Sequence, residues 1–327
     1  MKVSGFTFLR NGEWFGYPFI QSIRSALPIV DEFVIALGPC QDRTREMLEE
    51  MNEPKLRIIS THWNQSIRND YSIRGFNYGQ QKSIALFNCT GDWAFYLEAD
   101  EIIHQDDLPI IRANMEKYLH DDRVESLVFD YLHFYGNTKT LAWSPRWYRR
   151  APRIIKNTIP VWAPKGLFFL VLENHKRGRY PKAAHSGARI FHYGYVRTEE
   201  EYQAKQDNTD IYWRKDKAVS ESKTIQYSQI DSKALVEFHG DHPEVINGFF
   251  PEAHSPFSSD PNYPISFRDR RHRITLQLEK WFHFELNHNH FTWSKGCQTR
   301  RAAMNPHNGN PSPEPLPPFS YPKRESY

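Results

Sequence analysis

The first sixty residues alternate between two hydrophobic patterns, and that alternation limits the fold more than any other feature of the chain. Residues 3–9 read as an apolar strand, with Arg10-Asn11-Gly12 turning off its end. Residues 17–30 place Ile20, Ile23 and Leu27 on one helical face, and Pro28 ends or kinks that helix. Residues 33–37 are a second apolar run, closed by the turn signal Gly38-Pro39. Asp42 or Thr44 can cap a helix through Met47, Leu48 and Met51, and residues 56–60 form a third strand. Strands joined by connections of helical length pair in parallel through right-handed crossovers. The expected fold class is therefore α/β, a mostly parallel central sheet flanked by helices.

A fourth strand ends differently. Trp93-Ala94-Phe95-Tyr96-Leu97 is apolar without alternation, as in a strand covered on both faces. It stops at Glu98-Ala99-Asp100-Glu101, with three carboxylates in four residues. In an open α/β sheet, ligands bind beyond the carboxyl ends of the strands. On an extended backbone Glu98 and Asp100 face the same side. Such a pair can hold a hard divalent cation together with substrate phosphates. A solvated strand end running into a helix cap would look the same. Downstream, Asp106-Asp107 before Pro109 starts a helix. Residues 126–135 read as another strand, 167–172 and 188–196 as further strands, and 198–216 as a polar helix.

The segment around Arg10-Asn11, the stretch Val30-Asp31-Glu32-Phe33-Val34-Ile35, the phrase Tyr78-Gly79-Gln80-Gln81-Lys82-Ser83, and Thr90-Gly91-Asp92-Trp93 before Leu97-Glu98-Ala99-Asp100-Glu101 follow in a fixed order. In that order and spacing they resemble bacterial-type family 2 glycosyltransferases, which have the GT-A fold. His133-Phe134-Tyr135-Gly136 and His192-Tyr193-Gly194 resemble the family more loosely. The resemblance implies transfer of a sugar from a UDP- or GDP-sugar donor to a glycan, lipid or protein acceptor, with Mg2+ or Mn2+. Two departures stand out. The family's acid at the end of the second strand is absent from Ala36-Leu37-Gly38-Pro39, which leaves the base of the nucleotide open, and the first acid of the metal motif is Glu98 rather than Asp.

The candidate residues each carry two readings. Glu98, Asp100 and His192 are candidate metal ligands, and His192 reads equally as a half-buried core histidine. Arg10 and Asn11 sit where donor binding is expected, or simply form a turn. Asp42 is a donor contact or a helix cap. Lys82, with Arg146, Arg149 and Arg150, can neutralise the leaving diphosphate or form a solvated basic face. Asp130, a carboxylate inside an apolar strand, is a candidate general base or one half of an ion pair with a nearby arginine.

The expected organisation is a nucleotide-sugar half over residues 1–136, an acceptor half over 137–217, a helical extension over 218–294 and a disordered tail over 295–327. The formal charge of +3 without a Lys/Arg stripe gives no reason to expect nucleic-acid binding. Three unspaced cysteines argue against a disulfide scaffold or a zinc site and fit a reducing compartment. No apolar run is long enough to span a bilayer. A cytoplasmic protein is expected, with peripheral membrane contact left open. Two other functions compete: a nucleotidyltransferase, for which residues 8–13 lack the Gly-rich phosphate loop, and a binding protein that kept the fold without the chemistry.

Overall fold

The computed structural model describes residues 1–64, 66–67, 74–210, 212, 226–282 and 290–297. The chain begins β1 (Val3–Leu9), α1 (Phe19–Ala26), β2 (Glu32–Leu37), α2 (Thr44–Glu50), β3 (Leu56–Ser60), α3 (Phe76–Phe87) and β4 (Trp93–Tyr96). Here β1 pairs in parallel with β2 and β4, and β2 with β3, giving the order β3-β2-β1-β4. This is the α/β sheet that the alternation predicts.

Both faces of β1, β2 and β4 are covered, which is why their residues do not alternate in polarity, while the edge strand β3 is only partly buried. On one side Phe33, Ile35, Trp93 and Phe95 pack against Phe19 and Ile23 of α1 and Leu48 of α2. On the other, Phe6, Val34, Ala94 and Tyr96 meet Ala85 and Leu86 of α3 together with Phe169. Each fully buried Val, Leu, Ile or Phe side chain among them contributes about 1.5–3 kcal/mol of transfer free energy. Gly79 lets α3 lie against the next layer, because a Cβ there would stand 2.4 Å from the carbonyl group of Pro164.

After β4 the sheet becomes mixed, with antiparallel pairs joined by one long parallel pair, that of β6 with the last long strand. The short β5 (Glu101–Ile103) leads to α4 (Leu108–Tyr118), then β6 (Ser126–Tyr135), β7 (Asn137–Ala142) and β8 (Arg150–Lys156). β8 runs antiparallel between β4 and β6. A separate three-stranded sheet is formed by β9 (Val161–Trp162), β10 (Leu170–Asn174) and β11 (Arg177–Arg179). The fourteen-residue β12 (Lys182–Tyr195) then binds β6 along one edge and β5 along the other.

The remaining elements are α5 (Glu199–Asp210), β13 (Leu235–Glu237) on the edge of β7, α6 (Phe267–Phe282) and β14 (Thr292–Trp293) beside β12. The stretch expected to be a helical extension holds one α-helix among its described residues, α6; much of 226–266 is irregular. From its sequence this stretch is expected to hold a helix over residues 273–286, and α6 starts six residues earlier, at Phe267. Ser266 and Asp269 cap it reciprocally: Asp269 N–H donates to Ser266 Oγ, and Ser266 N–H donates to Asp269 Oδ2. The disorder expected of the tail falls on residues that, beyond 297, lie outside the described ones. Among the described residues no helix is long and apolar enough to cross a membrane.

Candidate functional site

A cavity of about 430 Å³ opens beyond the carboxyl ends of β1 and β4. Arg10 and Asn11 from the end of β1, Glu98, Ala99 and Asp100 from the end of β4, and His192 and Gly194 from β12 all line it. Two backbone features bring the acidic turn to β12. Glu101 pairs with His192 in the antiparallel ladder, and Tyr193 N–H donates to the Asp100 carbonyl at 2.9 Å. Gly194 leaves the room this needs: a Cβ there would stand 2.6 Å from the His192 ring and 3.0 Å from Asp100 Oδ2.

Asp100 is almost fully buried and faces three cationic or ionisable groups. Lys205 Nζ from α5 donates to Oδ2 at 3.2 Å, Arg197 lies 3.8 Å from the same oxygen, and His192 Nε2 is 3.7 Å from Oδ1. Burial alone would raise the carboxyl, but Lys205, His192 and Arg197 outweigh it and hold Asp100 well below the usual carboxylate range. Lys205 and Arg197 both rest over the ring of Tyr17, at 4.7 and 5.1 Å from its centroid.

The tautomer of His192 follows from its neighbours. Burial lowers His192 to about 4 and His133 to about 3, so both rings are neutral near pH 7. His133 Nε2 is 2.7 Å from the Tyr148 carbonyl, which can only accept, so that nitrogen carries the proton. Its Nδ1 is therefore bare and accepts from His192 Nδ1–H at 2.9 Å. That leaves His192 Nε2 without a proton, 3.7 Å from Asp100 Oδ1. Two electron-rich atoms facing each other at 3.7 Å suit a cation between them better than they suit each other. The pair fits a divalent metal as a two-donor set, with further places left for substrate oxygens.

Glu98 does not complete that set. Among the described residues, no group of three or more His, Cys, Asp and Glu side chains comes together in a way that could hold a metal. Glu98 is drawn instead to Arg153, at 3.2 Å, and burial with Glu101 beside it raises its carboxyl to about 7 against the pull of that arginine. Arg153 is itself fully buried. It binds Glu101 through Nε at 2.8 Å and a terminal nitrogen at 2.6 Å, and sits over the rings of Tyr96 and Tyr131.

The other candidates divide. Arg10 donates to Pro39 O and Tyr212 Oη and lies over Trp63, on the cavity wall. Asn11 also lines the wall, at a left-handed φ of 51°, with its Oδ1 accepting from Gln41 N–H. Asp42 accepts from Trp14 N–H and Thr44 N–H, lacing two loops outside the cavity. Lys82 is sealed below it, its ammonium between Tyr96 and Phe169 and donating to Gly166 O. Asp130 is likewise away from the cavity: Arg150 and His185 take its two oxygens at 2.6 and 3.1 Å, as a carboxylate in an apolar strand requires. Arg149 pairs with Glu279, and Arg146 lies over Trp147 beside a separate, small cavity.

Sequence reasoning missed Lys205, Arg197, His133 as a partner of His192, and the aromatic wall of Trp63, Tyr78 and Tyr212, whose rings meet edge-on at 5.4–5.5 Å. His133 was legible as part of His133-Phe134-Tyr135-Gly136, but its pairing depends on a parallel register that places it beside His192. Nothing in the polar composition of α5 marks Lys205.

No protein-family model and no curated protein matches this chain. Solved structures do. Staphylococcus aureus TarS matches at 19% identity over 42% of this chain and 23% of its own, with a TM-score of 0.29. A TarS 1-349 structure in complex with UDP-GlcNAc matches at 19% identity over 42% of this chain and 36% of its own, TM-score 0.30. Glucosyl-3-phosphoglycerate synthase from Mycobacterium tuberculosis, in complex with Mn2+, UDP and phosphoglyceric acid, matches at 19% over 41% of this chain and 43% of its own, TM-score 0.28. The chain thus spans less than half the length of each of these proteins.

Proposed function

We propose that this chain is a divalent-metal-dependent glycosyltransferase that moves a sugar from a nucleotide-sugar donor to an acceptor. The observation that carries the reading is the bare Nε2 of His192 facing Asp100 Oδ1 at the carboxyl end of a parallel sheet, inside a cavity large enough for such a donor.

Asp100 and His192 would hold the metal, Mg2+ or Mn2+, which when bound supplies Lewis-acid stabilisation to the departing diphosphate. The chain's own cations work toward the same end. Lys205 and Arg10 bring fixed positive charge to the wall where negative charge would develop, and Arg197 adds its charge from behind Asp100. Their partners are internal, so they need little reorganisation. Trp63, Tyr78 and Tyr212 offer flat apolar faces beside the end of β2, suited to stacking a nucleotide base without the family's usual carboxylate. That wall does not favour UDP over GDP. Among the described residues lining the cavity, Glu98 is the remaining carboxylate besides Asp100.

The test uses UDP- and GDP-sugars with Mn2+ and no acceptor, following release of free nucleoside diphosphate. Slow hydrolysis of one donor that stops on chelation, and is lost in Asp100→Asn, is the expected result. Failure of either nucleotide to bind with Mn2+ present would remove the basis of the reading.

A further inference from the structure

Helix α6 presents a second feature, unconnected with the cavity and independent of the function proposed for it. Its inner side is pinned to the body by Arg273 on Asp231, at 2.6 Å, and by the buried pair of Glu279 with Arg149, at 2.7 Å. Its outer side carries three large apolar residues at seven-residue intervals: Phe267, Ile274 and Trp281, 82%, 62% and 64% exposed. Seven residues are just under two turns, so the three form one stripe about 21 Å long.

The charges around that stripe have one sign. Arg268, Arg270 and Arg271 are exposed on α6. At about 100° per residue, Arg270 and Arg271 flank the line from Phe267 on either side, at about 60° and 40°. The helix's acids are turned away from it: Asp269 accepts from Ser266 and Tyr263, and Glu279 is buried on Arg149.

We propose that this face of α6 docks on an anionic lipid surface. An amphipathic helix with aromatic and aliphatic residues on one line and arginines beside it lies in the plane of a bilayer interface, its rings among the headgroups and its cations on the lipid phosphates. A second copy of the chain fits worse. A helix–helix seam needs apolar residues at both repeating positions, and here the positions between the apolar ones are Arg270 and Gln277, so paired copies would set like charges together. Nucleic acid would use the arginines but leave the apolar stripe in water.

The experiment is vesicle flotation of the full chain, with phosphatidylcholine alone and with about one third phosphatidylglycerol, at physiological salt. Wild type floats with the anionic vesicles and remains behind with the neutral ones. Removing three charges in R268Q/R270Q/R271Q lowers partitioning on the order of a hundredfold. I274S/W281S also abolishes flotation while melting with wild type, since both residues are exposed. Depth-dependent quenching by labelled lipid falls in W281F relative to wild type. The proposal is overturned if the chain floats with neither vesicle, or if both variants float like wild type. It is equally overturned if sedimentation shows a dimer that I274S dissolves, or if duplex DNA binding depends on the arginines and vesicle binding does not.

Discussion

Replacing His133 with Phe tests the central geometric argument without touching a proposed ligand. His133 holds His192 in the tautomer that bares Nε2, through bonds of 2.7 Å to the Tyr148 carbonyl and 2.9 Å to His192 Nδ1. Phenylalanine keeps the ring packing against Tyr148 and His192 but removes both nitrogens. Two buried polar groups lose their partner, which costs about 1–3 kcal/mol each, so stability falls by about 2–6 kcal/mol. Losing the group that orients a metal-binding imidazole typically weakens metal affinity 10–100-fold, or about 1.4–2.7 kcal/mol. The assay is calorimetric titration of Mn2+ in the presence of nucleoside diphosphate, with melting curves on the same samples. His133→Gln, which carries both a donor and an acceptor, should recover part of the affinity. A His133→Phe protein that melts cooperatively and binds Mn2+ like wild type refutes the tautomer argument.

Arg153→Leu should cost about 3–5 kcal/mol, because it strands the buried Glu101 carboxylate, and urea denaturation would measure it; a loss under 1 kcal/mol would mean that Glu101 finds another partner. Gly194→Ala should displace His192 and cut Mn2+ activation at least tenfold in a protein that still melts cooperatively, since the new methyl would meet the ring at 2.6 Å; unchanged activation would contradict the contact. The two histidines are held below their ordinary value, so between about pH 6.5 and 4 the unfolded chain binds protons that the folded one refuses. Their contribution to stability is therefore lost as pH falls through that window. Glu98, raised to about 7, works in the opposite sense over an overlapping range. The comparison must then be with His133→Phe/His192→Leu, whose melting temperature should fall less steeply on acidification; parallel slopes would show that these rings are not kept neutral by folding.

The sheet was legible because its information is local. Period and turn residues mark β1 to β4 directly, and the acidic stop after Leu97 marks where ligands should bind. The strand expected at 126–135 is also where the structure has it. What resisted reading depends on register between distant strands. Whether Asp130 meets a substrate or an arginine is decided by β8, which sets Arg150 opposite it. Whether Lys82 reaches a phosphate is decided by Tyr96 and Phe169 closing over it. The arginines of 146–153 look alike in sequence, and only Arg153 runs inward to the acidic turn. Lys205 and Arg197 reach Asp100 from 105 and 97 positions away, a distance at which composition carries no signal.

The ladder between β5 and β12 also bears on how the protein becomes competent. The two facing atoms of the candidate metal pair belong to residues 100 and 192, and they meet only once β12 has closed against β5. The parallel half, built from neighbouring strand–helix–strand units, involves short loop closures, whereas β12 must return across a long intervening chain. Helix signal should then recover early after dilution from denaturant, and ligand binding late. A nascent or truncated chain lacking β12 would keep the pairing of β1 to β4 but could not bring residue 192 beside Asp100, so, under the function proposed above, it should bind Mn2+ with nucleoside diphosphate no better than Asp100→Asn does.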